Sequence, residues 1–136
     1  QGAVLASIGA EAGAFEMLAR KVRSGDPENI EAQAARRYWQ ALMGPDFRRD
    51  QGGEGINALL NYGYTVLRAT VSRAICAAGL HPSIGLHHSN RANAFALADD
   101  LMEPYRPIVD RGVYNLVQDG VADVSPLAKT ALAVLT

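Results

Sequence analysis

The 136-residue sequence holds one cysteine, two lysines and no long apolar run, and each scarcity removes a class of protein. With Cys76 alone, no intrachain disulfide can form and no thiolate cage can hold zinc, which fits a reducing, cytoplasmic setting. No stretch approaches the roughly 20 apolar residues that a membrane-spanning helix needs. Nor does a charged segment followed by an apolar one open the chain, so neither a membrane protein nor a secreted one is expected. A formal charge of -1 argues against a generally basic nucleic-acid binder. Eleven of the thirteen cations are nevertheless arginine, whose planar fork matches phosphate, so local patches matter more than the total. They cluster at Arg20, Lys21 and Arg23, at Arg36 and Arg37, and at Arg48 and Arg49; each cluster also reads as a solvated helix face.

What is present is helical patterning. Apolar residues make up 49% of the chain, enough for a core in one domain of this length. Val4, Leu5, Ile8, Ala12, Phe15, Leu18, Ala19 and Val22 recur at three- and four-residue steps and predict a first helix, stopped at Ser24-Gly25. Asp26 as N-cap, Pro27 at the first helical position and Glu28 near the positive end of the dipole predict a second, running to about Met43. Residues 44–55, with Gly44, Pro45, Gly52, Gly53 and Gly55, read as a loop. Ile56, Leu59, Leu60, Gly63, Leu67, Val71, Ala74, Ile75 and Ala78 then hold helical spacing to Gly79. His81-Pro82 to Leu86 reads as a loop that places His87 and His88 outside any helix, because proline disfavours helical geometry in the residue before it. Helix is expected again from Ala92 to Glu103, interrupted by Pro104 and Pro107, and then across Ile108 to Val117. Ser125-Pro126 opens a last short helix over Leu127 to Leu135 that needs a surface to pack on. Sustained period-two alternation is missing throughout, so the fold class is all-α. The chain opens on Gln1 already in helical pattern, and the expectation is a part of something longer.

Three places could carry chemistry. Glu31 is flanked by small and apolar residues, with Ala35 and Tyr38 one and two turns on, so its face reads as partly buried and its carboxylate as needing a cation or metal partner. Taken alone it reads first as a surface-edge glutamate. Asp99, Asp100 and Glu103 share one side of a helix, where like charges repel by a few tenths of a kcal/mol per pair; a metal would relieve the repulsion, and a charged helix end is the plain alternative. His88 in a loop is by itself an ordinary solvated histidine. One imidazole with several carboxylates suits Mg²⁺ or Mn²⁺, and such an ion serves phosphoryl transfer. Arg36, Arg37, Arg48 and Arg49 could then hold a nucleic-acid backbone.

Three stretches, taken in order, resemble the CRISPR-associated integrases of spacer acquisition, the Cas-one family. They are Glu31-Ala32-Gln33-Ala34-Ala35-Arg36-Arg37-Tyr38-Trp39, Asn57-Ala58-Leu59-Leu60-Asn61-Tyr62-Gly63-Tyr64, and the segment from Gly79-Leu80-His81-Pro82 through His88 to Asp99-Asp100-Leu101-Met102-Glu103-Pro104-Tyr105-Arg106-Pro107. The wording is most similar to the branch that accompanies type II systems. The resemblance covers most of residues 10–117 and implies that Glu31, His88 and Glu103 bind a divalent metal, with Asp100 in the place of a second acid. It implies further that Arg91 and Arg106 join the four arginines above in binding DNA. Full-length relatives are about twice this size and begin with a β-rich dimerisation domain; that domain is missing from this sequence, so the expectation is the helical catalytic part of a larger two-domain protein. The expected activity is metal-dependent joining of a DNA 3′ hydroxyl to a phosphodiester at the CRISPR repeat. DNA, a small CRISPR-associated partner protein and a second copy of the full-length chain are the implied partners, in a prokaryotic cytoplasm. The alternative is a helical DNA-docking or partner-binding module without catalysis. A nucleotide phosphohydrolase is the second enzymatic reading, but its usual His-Asp doublet is not in the sequence.

Overall fold

The structure is a computed structural model that describes residues 1–10, 13–21, 29–87 and 92–136. Its helices are α1 (Gly2–Ser7), α2 (Gly13–Lys21), α3 (Ile30–Met43), α4 (Ile56–Ala77), α5 (Ala96–Met102), α6 (Arg106–Gln118) and α7 (Pro126–Val134), with a 3-10 turn at Glu103–Tyr105 between α5 and α6. No strand occurs among the described residues, so the protein is all-α as the lack of alternation implied. Residues pack as two compact units, Gln1–Asp50 and Gln51–Thr136.

In the first unit, the single helix expected from Val4 to Val22 is divided. The apolar spacing runs on, but the backbone stops at Ile8. Gly9 adopts φ 76°, its N–H bonds to Ala6 O at 3.2 Å, and the N–H of Ala10 reaches back to Leu5 O at 2.9 Å. This is a Schellman stop, which needs the left-handed backbone that glycine adopts without a Cβ penalty. Val4, Leu5, Leu18, Ile30, Tyr38 and Leu42 are buried, and Phe15 meets the fully buried Tyr38 edge to face with centroids 6.4 Å apart. The cap expected at Asp26, Pro27 and Glu28 falls outside the described residues; α3 is described from Ile30 and ends at Met43, where its C-terminus was expected.

In the second unit, the 22-residue α4 is the support on which α5, α6 and α7 all pack. Leu59, Leu60, Leu67 and Ile75 form its buried stripe, and full burial of such a side chain is worth roughly 1.5–3 kcal/mol. Cys76 lies on the same helix but is exposed. At Gly63 the α4 backbone comes close to α6, for a Cβ there would run into the side chain of Val109, itself fully buried. Pro104 and Pro107 interrupt the chain less than expected. They occupy the second positions of the 3-10 turn and of α6, where an N–H is not needed, so the interruption is one tight turn. The last helix finds its surface: Ser125 Oγ accepts the N–H of Ala128 at 3.2 Å, and Ala128 and Leu132 are buried.

Candidate metal centre and phosphate-binding groove

The three acids near the end of α5 do not converge. Asp99, in the first turn, is only 9% exposed; its Oδ1 accepts Arg68 Nε from α4 at 2.9 Å and its Oδ2 accepts Asn93 Nδ2 at 2.8 Å. Asp100 turns the other way, and its Oδ2 accepts the backbone N–H groups of Leu86 at 2.6 Å and His87 at 2.9 Å. Glu103 opens the 3-10 turn with a half-exposed carboxylate, and Arg106 Nη2 stands 2.9 Å from its Oε1. The expectation of mutual repulsion awaiting a metal is therefore corrected: a guanidinium and an amide, a pair of backbone amides, and a second guanidinium each hold one carboxylate. Arg106 is joined in this by Arg68, which lies 31 residues before Asp99.

Beneath Glu103 the support continues inward. The Arg106 guanidinium lies 5.3 Å from the centroid of the Tyr64 ring, while its buried Nε has no hydrogen-bond partner among the described residues. Tyr64 in turn donates its hydroxyl to Asp110, which is 2% exposed on α6. The pairing of Tyr64 with Asp110 was not legible in the sequence, because 46 residues separate them.

Glu31 belongs to the first unit, in the first turn of α3, where a negative charge complements the helix dipole. Its neighbour Tyr38 is buried but Glu31 itself is exposed, at an apolar hollow that Phe15, Leu18, Ile30 and Ala34 help to line. The expected burial cost does not arise. His88 and Arg91 lie outside the described residues. Among the described residues no three His, Cys, Asp or Glu side chains stand close enough to share an ion. The donor chemistry of Glu31, His88 and Glu103, two carboxylates and an imidazole, does fit Mg²⁺ or Mn²⁺.

The arginines expected to hold phosphate are partly gathered. Arg36 on α3 and Arg48 and Arg49 after it line a groove of about 590 Å³ together with Trp39, Gln40 and Phe47. The Trp39 and Phe47 rings stand 5.8 Å apart at 51°, and both are half-buried. Arg49 Nη1 also donates to Asp50 O at 2.7 Å. Arg37 is exposed on α3 and does not line the groove. Trp39 and Phe47 went unassigned from sequence, although Arg36 and Trp39 at i and i+3 and the run Phe47-Arg48-Arg49 are the interleaving of aromatic and basic residues that marks such a surface.

Residues 12–134 match the family described as CRISPR associated protein Cas1. The chain is 47% identical over 117 residues to a CRISPR-associated endonuclease Cas1 of Neisseria meningitidis serogroup C, covering 85% of this chain and 38% of that protein. It is 36% identical over 109 residues to a CRISPR-associated endonuclease Cas1 of Pyrobaculum aerophilum, covering 78% and 37%, and 36% identical over 120 residues to one of Thermus thermophilus, covering 80% and 38%. The chain thus spans less than two fifths of the length of these relatives. No helix among the described residues is long and apolar enough to cross a membrane. With 123 of its residues inside the family match and the motifs around Glu31, Asn57 and Glu103 in order, the chain belongs to the Cas1 family.

Proposed function

We propose that this chain supplies the metal-binding helical part of a DNA integrase and endonuclease of CRISPR spacer acquisition. The observation that carries the reading is the state of Glu103 in a Cas1-family chain: among three clustered acids it keeps a half-exposed carboxylate restrained by a surface ion pair to Arg106. Such pairs are worth about 0.2–1 kcal/mol, so the carboxylate can change partner at little cost. Glu31, His88 and Glu103 would hold Mg²⁺ or Mn²⁺, which when bound supplies Lewis-acid polarisation of a phosphodiester oxygen. Arg36, Arg48 and Arg49 grip phosphates with little sequence preference, with Arg37, Arg91 and Arg106 as further contacts. In the reaction a DNA 3′ oxygen forms a bond to phosphorus while the bond to the strand's own 3′ oxygen breaks; the proton of the attacking hydroxyl ends on the leaving oxygen. One phosphodiester replaces another, so no nucleotide triphosphate is consumed.

In the full-length protein, acting as a homodimer with its small CRISPR-associated partner on branched DNA, Glu31→Ala or His88→Ala is expected to abolish strand transfer. Retained activity in either variant refutes the assignment. The arginine groove favours a second reading, a DNA-docking module without catalysis, in which DNA binding is indifferent to chelators. Manganese separates the two: a true site stabilises the fold by about 2.7 kcal/mol at a free concentration one hundred times Kd, whereas the docking module leaves the thermal midpoint unmoved.

A further inference from the structure

Asp99 and Asp100 are neighbours, yet about 100° of helical rotation sends their carboxylates to different flanks of one segment. Asp100 takes the amides of Leu86 and His87, the last two residues before position 88. Asp99 takes the side-chain amide of Asn93, two residues after position 91, and is itself tied to α4 through Arg68. Asn93 Oδ1 also accepts the N–H of Phe95, the N-cap residue of α5, at 3.0 Å, so the same residue meets both Phe95 and Asp99. A further tie runs from the N–H of Leu97 to Pro82 O at 2.7 Å. The chain therefore enters residues 88–91 from one anchored point and leaves toward another, and both anchors are consecutive residues of one helix turn.

We infer that Asp100 is a positioning residue rather than a metal ligand or catalytic acid: it fixes the backbone of Leu86 and His87 just before position 88, and Asp99 fixes Asn93 after position 91. The inference rests on the metal-site reading above for His88 and Glu103, and adds to it which acid acts on the ion and which acts on the loop. The amides donate to one oxygen, Oδ2, and a carboxylate accepting N–H groups in this way makes charge-assisted bonds. An asparagine in the same place still offers an oxygen with two lone pairs, but brings no negative charge for a cation. The two roles thus part on one substitution.

The test uses the full-length protein, with Mn²⁺ alone as the probe, followed by electron paramagnetic resonance, and amide hydrogen exchange resolved to single residues. In the wild type the amides of Leu86 and His87 are expected to be protected, and Asp100→Ala to release both. Mn²⁺ affinity is expected to fall about 10–100-fold in Asp100→Ala, the usual cost of losing a residue that orients a ligand. Asp100→Asn is expected to keep amide protection and an affinity within about threefold of the wild type, as an oxygen acceptor suffices for positioning. Asn93→Ala, on the opposite flank, is expected to weaken Mn²⁺ binding with the Leu86 and His87 amides still protected. Unprotected amides in the wild type overturn the inference without any variant, and so does an Asp100→Asn protein that binds Mn²⁺ as poorly as Asp100→Ala. Glu103→Gln separates the underlying reading: Mn²⁺ binding unchanged in that variant refutes the metal site itself and takes the positioning role with it, whatever the amides do.

Discussion

Removing one arginine from the Trp39 groove tests whether the protein's cations work on phosphate there, and the structure sets the size of the effect. Arg36, Arg48 and Arg49 line the groove, while Arg37 on the same helix does not. If each lining arginine displaces the counterion of one phosphate, the groove contributes roughly -2.7 to the slope of log K against log salt for duplex DNA, and about -2.1 for a single strand. Arg36→Ala or Arg48→Ala should then each make the slope shallower, by about 0.9 on duplex DNA and about 0.7 on a single strand, and Arg37→Ala should change it by less. The measurement is fluorescence anisotropy of a labelled oligonucleotide across a salt series. Trp39 is the chain's only tryptophan, so its emission reports on the same groove without a label. A base stacked near it should quench that emission in step with the anisotropy. Equal slopes for the wild type, Arg36→Ala and Arg48→Ala, with emission unmoved by saturating DNA, would place DNA elsewhere and refute the groove.

Two further expectations concern the scaffold under the candidate site. Gly63→Ala should destabilise by about 1–3 kcal/mol, the usual cost of overfilling a packed core, because the new methyl meets the stiff, fully buried Val109 side chain and outweighs alanine's better helix propensity. Gly13→Ala, where a Cβ meets nothing within 4 Å among the described residues, should be neutral or stabilising; the same sign for both in urea denaturation would contradict the close approach of α4 to α6. Tyr64→Phe keeps the ring beneath Arg106 but takes a donor from the buried Asp110, a loss of about 1–3 kcal/mol, and an unchanged denaturation midpoint would show that the hydroxyl does not support the carboxylate.

The parts of the fold that were legible in sequence are those governed by local rules. Leu59, Leu60, Leu67 and Ile75 mark α4 by spacing alone, and Ser125-Pro126 marks the start of α7 because both a cap and a first-turn proline are local demands. The break at Gly9 was illegible for the converse reason: Val4, Leu5, Ile8 and Ala12 keep helical spacing across it, and periodicity says nothing of one residue's backbone angle. At the site, Glu103 and Asp100 could be singled out as acids, but their partners could not. Arg68 lies 31 residues before Asp99, and the amides that meet Asp100 lie 14 and 13 residues before it, far outside the turn of helix over which sequence neighbours interact. The face of Glu31 was read as partly buried because apolar neighbours report the character of a face, whereas exposure depends on what packs against it; the residue is exposed, as the surface-edge reading of Glu31 alone had it.

The division of labour among the acids follows from burial. A carboxylate can hold a cation only if leaving its existing partners costs less than the new bonds return. Asp99 is buried and held by both Arg68 and Asn93, and a buried carboxylate that leaves its hydrogen-bond partners keeps a desolvation penalty of about 1–3 kcal/mol. Asp100 would have to desert two backbone amides, each then in need of water. Glu103, half-exposed, gives up a pair worth about 0.2–1 kcal/mol, and its released guanidinium still rests on the Tyr64 ring. On the proposed reading, three acids within five residues are thus not three ligands. On that reading, the tie of Asp99 to Arg68 on α4 and of Asp100 to the Leu86 and His87 amides makes the two aspartates parts of the frame, and Glu103, at the edge of the 3-10 turn, is the carboxylate that can exchange its cation.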